Sequence, residues 1–141
     1  ANPQVYNGGG HNGIDLAASI GTRVKSSLSG TVAGTGNTDL QRGCYSYGKW
    51  VLIKHGNGLS TLYAHLSTIS VVAGQEVKTG EVIGYSGSTG YSTGPHLHYS
   101  VFSTDGVRIM KLGEYRKSAN CGNVQLPVAP LGAYLNPLSY L

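Results

Sequence analysis

The stretch that most restricts the fold is KWVLIKHGNGLSTLYAHL, Lys49 to Leu66. Two runs of apolar and β-branched residues flank Gly56-Asn57-Gly58, a turn signal that joins neighbouring strands, so the segment predicts an antiparallel hairpin. Side chains alternate across a strand, which would set Leu59, Thr61, Tyr63 and His65 on one face. The same grammar recurs elsewhere. TRVKSSLSGTVAGTG, from Thr22, reads as two short strands around a turn, and GPHLHYSVF, from Gly94, alternates as another. In ISVVAGQEVKTGEVIGYSG, from Ile69, Gly74, Gly80 and Gly84 punctuate the Val and Ile pairs as in small, tightly turning β-sandwiches and barrels. Composition agrees: 22 glycines and only 11% charged residues in 141 suit short strands and tight turns, and suit helices badly. NPQVYNGGGHNG, from Asn2, and NTDLQRGCYSYG, from Asn37, read as loops, and PLGAYL predicts a short helix before Asn136-Pro137. The fold class is therefore all-β, a small antiparallel sheet or sandwich with long loops. One domain over residues 1–141 is long enough to bury a real core.

A net charge of +4 and a pI near 9.1 favour an anionic neighbour, whether nucleic acid, acidic membrane or wall polymer. The ten Lys and Arg are scattered without a basic run, and no helix-turn-helix or RNA-binding signature is present, which argues against nucleic acid. No apolar run reaches membrane-spanning length and no signal peptide is seen; the expectation is that an export signal or upstream domain has been removed. Cys44 and Cys121 are too few for a four-ligand zinc knot. In a small, basic, strand-rich chain of secreted character, one disulfide is expected in preference to two buried thiols.

Chemistry-bearing residues are scarce, with five histidines and six carboxylates, so their spacing is informative. His11 and Asp15, in HNGIDLAA, are four apart, an offset that returns to one face of a strand and nearly so of a helix, although Gly13 argues against the helix. His96 and His98 are two apart on a predicted strand and share a face. A catalytic zinc takes three protein ligands, drawn from His nitrogen and carboxylate oxygen, and keeps a position for water. His11, Asp15 and one of the His96/His98 pair would supply that set. No His-Glu-x-x-His helix offers a glutamate base. Proton transfer would then fall to His65 and the second member of the pair. His55, at the hairpin end, is read first as a turn-fixing residue. GYSTG, Gly90 to Gly94, matches the nucleophile string of serine hydrolases, but Pro95 and a strand follow where a helix is needed, so Ser92 is read as a loop residue. SGTVAG and VKTGEVIG resemble the hairpins of biotinyl and lipoyl carriers. Neither Met-Lys-Met nor Asp-Lys-Ala occurs, which leaves only a shared β-architecture.

HNGIDLAA, LYAHL and GPHLHYSV, with VKTGEVIGYSGSTG and the closing NPLSYL, resemble the lysostaphin/LytM-type zinc endopeptidases of bacterial peptidoglycan. The resemblance runs from about His11 to the C-terminus, and its joint motif, His-x-x-x-Asp followed by His-x-His, is specific where either half alone is weak. It implies one Zn2+ per chain on His11, Asp15 and His98, with His65 and His96 as unliganded catalytic histidines. The metal would lie in a groove between loops, and water activated there would cleave peptide cross-links of the wall. The implied partners are peptidoglycan stem peptides and an anionic wall surface, met by a monomer that is secreted, periplasmic, wall-associated or phage-borne. Residues from about 105 to 130 depart from the family pattern and read as an insertion, tied by Cys121 to the loop carrying Cys44. Some members of the family are inactive wall-binding modules or activators of other hydrolases. Those members lose ligands, whereas all five family positions are filled here, so the enzyme is the reading and the binding module its alternative.

Overall fold

The computed structural model describes residues 4–5, 13–41, 43–117 and 120–139, and His11 lies outside them. The predicted hairpin is its spine: β5 (Lys49–His55) pairs antiparallel with β6 (Leu59–Ile69), Ile53 opposite Thr61 and Lys54 opposite Ser60. On its other side β6 pairs with β9 (His96–Ser103), from Leu59 opposite Ser103 to Ala64 opposite His98. The far end of β6 pairs with β8 (Val82–Ser86), which also holds β3 (Arg23–Lys25). Beyond β5 lie β4 (Gly30–Asn37) and the short β7 (Glu76–Val77). Beyond β9 lie β2 (Ile14–Ala17) and β1 (Gln4–Val5), and β12 (Tyr134–Leu135) pairs with β9 as well. A separate antiparallel pair, β10 (Arg108–Lys111) with β11 (Gln125–Val128), encloses the one-turn helix α1 (Leu112–Tyr115).

The sheet is buried on both faces, which is why KWVLI is apolar without alternation. Val51, Ile53, Tyr63, Tyr99 and Val101 face one core together with Val24 and Ile83. Trp50, Leu52, Leu62 and Phe102 face a second, formed with Val107, Leu126 and Val128 of the C-terminal region. Trp50 is 1% exposed, so truncating it to Ala should cost about 3–5 kcal/mol.

Three local expectations change. PLGAYL makes only a single 3-10 turn, Leu131–Ala133, then turns into β12; Pro130 and Pro137 bracket too few residues for a helix. Thr38–Leu40 of the predicted loop closes into a 3-10 turn capped by Asn37. Within the opening loop, Gln4–Val5 form a strand, and most of the remainder lies outside the described residues.

The fourth change concerns His65, which does not share the face of Tyr63. From Val51 opposite Tyr63 to Lys49 opposite Leu66, β5 advances two residues and β6 three. The extra residue is a β-bulge, and His65 takes φ +61°, rare for a residue with a side chain. Parity flips there: Tyr63 and Leu66 join the same core, and His65 swings to the opposite face, toward β9. Cys44 and Cys121 form the expected disulfide across a sequence separation of 77. It ties the loop between β4 and β5 to the segment that follows α1.

Candidate active site

The pairing of β2 with β9 builds the centre of the site. Asp15 stands opposite His98 and Ala17 opposite His96, and strand alternation turns Asp15, His96 and His98 to one face. Asp15 Oδ1 lies 3.2 Å from His96 Nε2 and 3.4 Å from His98 Nδ1. That oxygen is buried and has no hydrogen-bond partner among the described residues. The other ring nitrogen of His98, Nε2, is 2.7 Å from Ser100 Oγ, two residues along the same face. His96, whose Nδ1 is committed to the Gly94 carbonyl, turns the lone pair of Nε2 toward this carboxylate oxygen, and His98 does the same from Nδ1 when Ser100 Oγ accepts from its Nε2. Two acceptors facing each other in a buried place are unfavourable unless a cation lies between them. The donor set, carboxylate oxygen and imidazole nitrogen, suits zinc.

Gly13 permits this closeness. A Cβ there would sit 2.4 Å from Ser100 Oγ, 2.6 Å from the Tyr99 carbonyl and 2.7 Å from His98 Nε2. The glycine between His11 and Asp15 thus leaves room for the His98–Ser100 pair.

His65 and His96 complete the cluster, their ring centroids 4.6 Å apart, with His65 and His98 at 5.9 Å. His65 Nδ1 donates to the Thr89 carbonyl at 2.6 Å, which leaves the lone pair on Nε2. His96 Nδ1 donates to the Gly94 carbonyl at 2.7 Å, with Ser92 Oγ at 3.2 Å, and Nε2 is again the basic atom. Burial holds the His65 imidazole down at about 4; the bond to Thr89 works against it, His98 and His96 push it lower still, and Asp15 lifts it. At neutral pH His65 is therefore an uncharged base. Its backbone N–H donates to the Tyr47 carbonyl at 2.7 Å, and the Tyr47 ring lies 5.6 Å from His98. Burial, then the neighbouring Tyr134, keeps the Tyr47 phenol well above its ordinary range.

Of the five residues expected at the centre, Asp15, His65, His96 and His98 come together, and His11 lies outside the described residues. Among the described residues no three His, Cys, Asp or Glu side chains form a metal cage by themselves. His55 is elsewhere, buried at the end of β5, with Nδ1 2.8 Å from the Ser29 carbonyl and Nε2 2.8 Å from Thr61 Oγ1, so its ring bonds to the start of β4 and to β6 and not to the turn residues Gly56 to Gly58. Ser92 is a loop residue whose hydroxyl donates to the Gly94 carbonyl at 2.7 Å. Sequence reasoning missed Ser100, Gly13 and the Thr89 carbonyl. Ser100 was visible as the next residue on the face of His98. The carbonyl had no signal, because a backbone group has no identity in the sequence.

Residues 9–110 match the model of Peptidase family M23. The chain belongs to this family. Family M23 comprises metallopeptidases. The chain is 53% identical over 89 residues to the DD-carboxypeptidase/endopeptidase Mpg of Neisseria meningitidis, covering 63% of this chain and 19% of that protein. It is 40% identical over 98 residues to the glycyl-glycine endopeptidase ALE-1 of Staphylococcus capitis, covering 69% of this chain and 26% of that one. It thus spans about a fifth to a quarter of the length of these curated relatives. The catalytic domain of lysostaphin from Staphylococcus simulans superposes with a TM-score of 0.66 at 30% identity, over 98% of this chain and 84% of that one. The antiparallel M23 fold is the all-β architecture expected from the hairpin grammar.

Proposed function

We propose that this M23 domain is a zinc endopeptidase that hydrolyses peptide cross-links of bacterial peptidoglycan. The observation that carries the reading is the buried Asp15 Oδ1, without a hydrogen-bond partner among the described residues, facing two imidazole nitrogens at 3.2 and 3.4 Å. Asp15 and His98 would hold the metal, with His11 as the third ligand. A zinc ion there would lower the pKa of a bound water toward about 7 and polarise the scissile carbonyl. The remaining work falls to the protein. Peptide hydrolysis needs one proton removed from water and one delivered to the leaving nitrogen. His65 and His96 each present Nε2 to the site, and their rings, 4.6 Å apart, can divide those transfers. Each positioned acid–base group contributes about 10²–10⁴ in rate.

Direct stem-peptide cross-links are the substrate best supported. The relative named as a DD-carboxypeptidase/endopeptidase is 53% identical, against 40% for the glycyl-glycine endopeptidase. The site of action is then the wall, outside the cytoplasm, and among the described residues no helix is long and apolar enough to cross a membrane. The net charge of +4 would assist adsorption to an anionic wall surface. Digestion of defined muropeptide dimers, with products read by mass spectrometry, tests the proposal. Monomers should appear with zinc, stop with a chelator and return on adding zinc. Intact dimers under all three conditions, with the protein still bound to wall sacculi, would favour the binding-module alternative.

A further inference from the structure

His65 is held by a peptide group that is itself held by a carboxylate. The amide joining Thr89 to Gly90 accepts from His65 Nδ1 at its carbonyl, at 2.6 Å, and donates from its N–H to Asp39 Oδ2, at 2.9 Å. Carboxylate, amide and imidazole therefore lie in one hydrogen-bonded line. We propose that Asp39 is a positioning residue for His65, acting through the Thr89–Gly90 peptide group to fix the tautomer and orientation of the imidazole. The inference rests on the reading of His65 as catalytic.

The surroundings are built to hold that peptide. Asp39 lies in the 3-10 turn Thr38–Leu40, and its own N–H donates to Asn37 Oδ1 at 3.0 Å. Thr38 Oγ1 accepts from Gly48 N–H at 2.9 Å and closes the loop behind it. On the facing loop, Thr89 Oγ1 accepts from Lys49 N–H at 3.1 Å and donates to the Leu66 carbonyl at 2.7 Å, while Tyr91 N–H donates to the Ser46 carbonyl at 2.7 Å. Gly48 and Gly90, at φ +64° and +75°, let the two backbones touch: a Cβ on Gly90 would lie 2.2 Å from the Ser46 carbonyl. Both loops thus clamp one peptide, and Asp39 is the charged end of the clamp. An amide whose N–H donates to a carboxylate is polarised, which strengthens its carbonyl as an acceptor. That favours the proton on Nδ1 of His65 and the lone pair on Nε2. The logic is that of a carboxylate–histidine pair with one peptide unit spliced between the partners.

A double-mutant cycle on the zinc-loaded protein tests this, with a cross-linked muropeptide dimer as substrate and zinc content measured for every variant. Asp39→Ala should lower kcat roughly 10- to 100-fold, with KM, zinc content and far-UV circular dichroism retained. Asp39→Asn, which keeps an acceptor for Gly90 N–H, should recover most of the loss. In a His65→Ala background, Asp39→Ala should change kcat by less than about twofold, because its route of action is gone. The 15N shifts of the His65 imidazole should report an Nδ1–H tautomer in the parent and a mixture in Asp39→Ala, a readout that needs no turnover. Unchanged kcat in Asp39→Ala, or the same loss with and without His65, overturns the clamp alone. Full activity in His65→Ala overturns the reading of His65 and the clamp with it.

Discussion

Gly13→Ala is the substitution whose outcome the structure constrains most tightly. The added Cβ would meet Ser100 Oγ, the Tyr99 carbonyl and His98 Nε2 at 2.4, 2.6 and 2.7 Å, all well inside contact distance. The Tyr99 carbonyl is backbone of β9 and cannot step aside, so β2 and β9 must part or the His98–Ser100 bond must break. Overpacking of this kind costs about 1–3 kcal/mol. The backbone adds about 1–2 kcal/mol, since Gly13 sits at φ +151°, which residues with a side chain rarely adopt. A total of about 2–5 kcal/mol should lower Tm by roughly 6–20 °C for a chain of this size. Zinc affinity should fall at least 10-fold, because His98 loses the hydroxyl that orients it. Gly21→Ala is the control: it has φ +90° but no atom within 4 Å of its Cβ, so it carries the backbone penalty without the collision. Calorimetric melts and zinc titration of both variants decide the matter. Equal Tm losses in the two variants, with unchanged zinc affinity in Gly13→Ala, would refute the close-approach argument.

Ser100→Ala should weaken zinc binding about 10- to 100-fold while leaving the fold melting cooperatively, since it removes the bond to His98 Nε2; competition with a chromogenic chelator measures it. Opening the Cys44–Cys121 disulfide by paired Ser substitutions should cost about 2–4 kcal/mol, against a chain-entropy ceiling of about 4.5 for a separation of 77, as read from urea melts. His55 is held below its ordinary 6.5 by burial, opposed by its bond to Ser29, so the unfolded chain takes up a proton that the folded chain resists. Stability from this group is present above pH 6.5 and drains away as pH falls below it. The Tm difference between the parent and His55→Gln should therefore narrow on going from pH 7 toward pH 5, with muropeptide cleavage at pH 7 unaffected.

Much of the architecture was legible because it rests on local patterns. Gly56-Asn57-Gly58 between two apolar runs dictates the hairpin, and glycines at turns mark most of the remaining strands. His96 and His98 were legible as candidates because a spacing of two survives folding as a shared strand face, and β2 sets Asp15 against that face, opposite His98. His65 was legible as a residue but not as a direction. Its bulge is an offset between β5 and β6, a property of the pairing and not of either strand alone. Asp39 was harder still, because its link to His65 runs through a backbone amide 50 residues further along the chain. His11 was read from spacing and resemblance and lies outside the described residues.

The division of labour between His96 and His98 is the central claim, and metal content measured beside turnover tests it most directly. His98→Ala should lose stoichiometric zinc and with it cleavage of a muropeptide dimer. His96→Ala should retain zinc and lose kcat by about 10²-fold or more. Zinc retained in His98→Ala, or zinc lost from His96→Ala, would contradict the account.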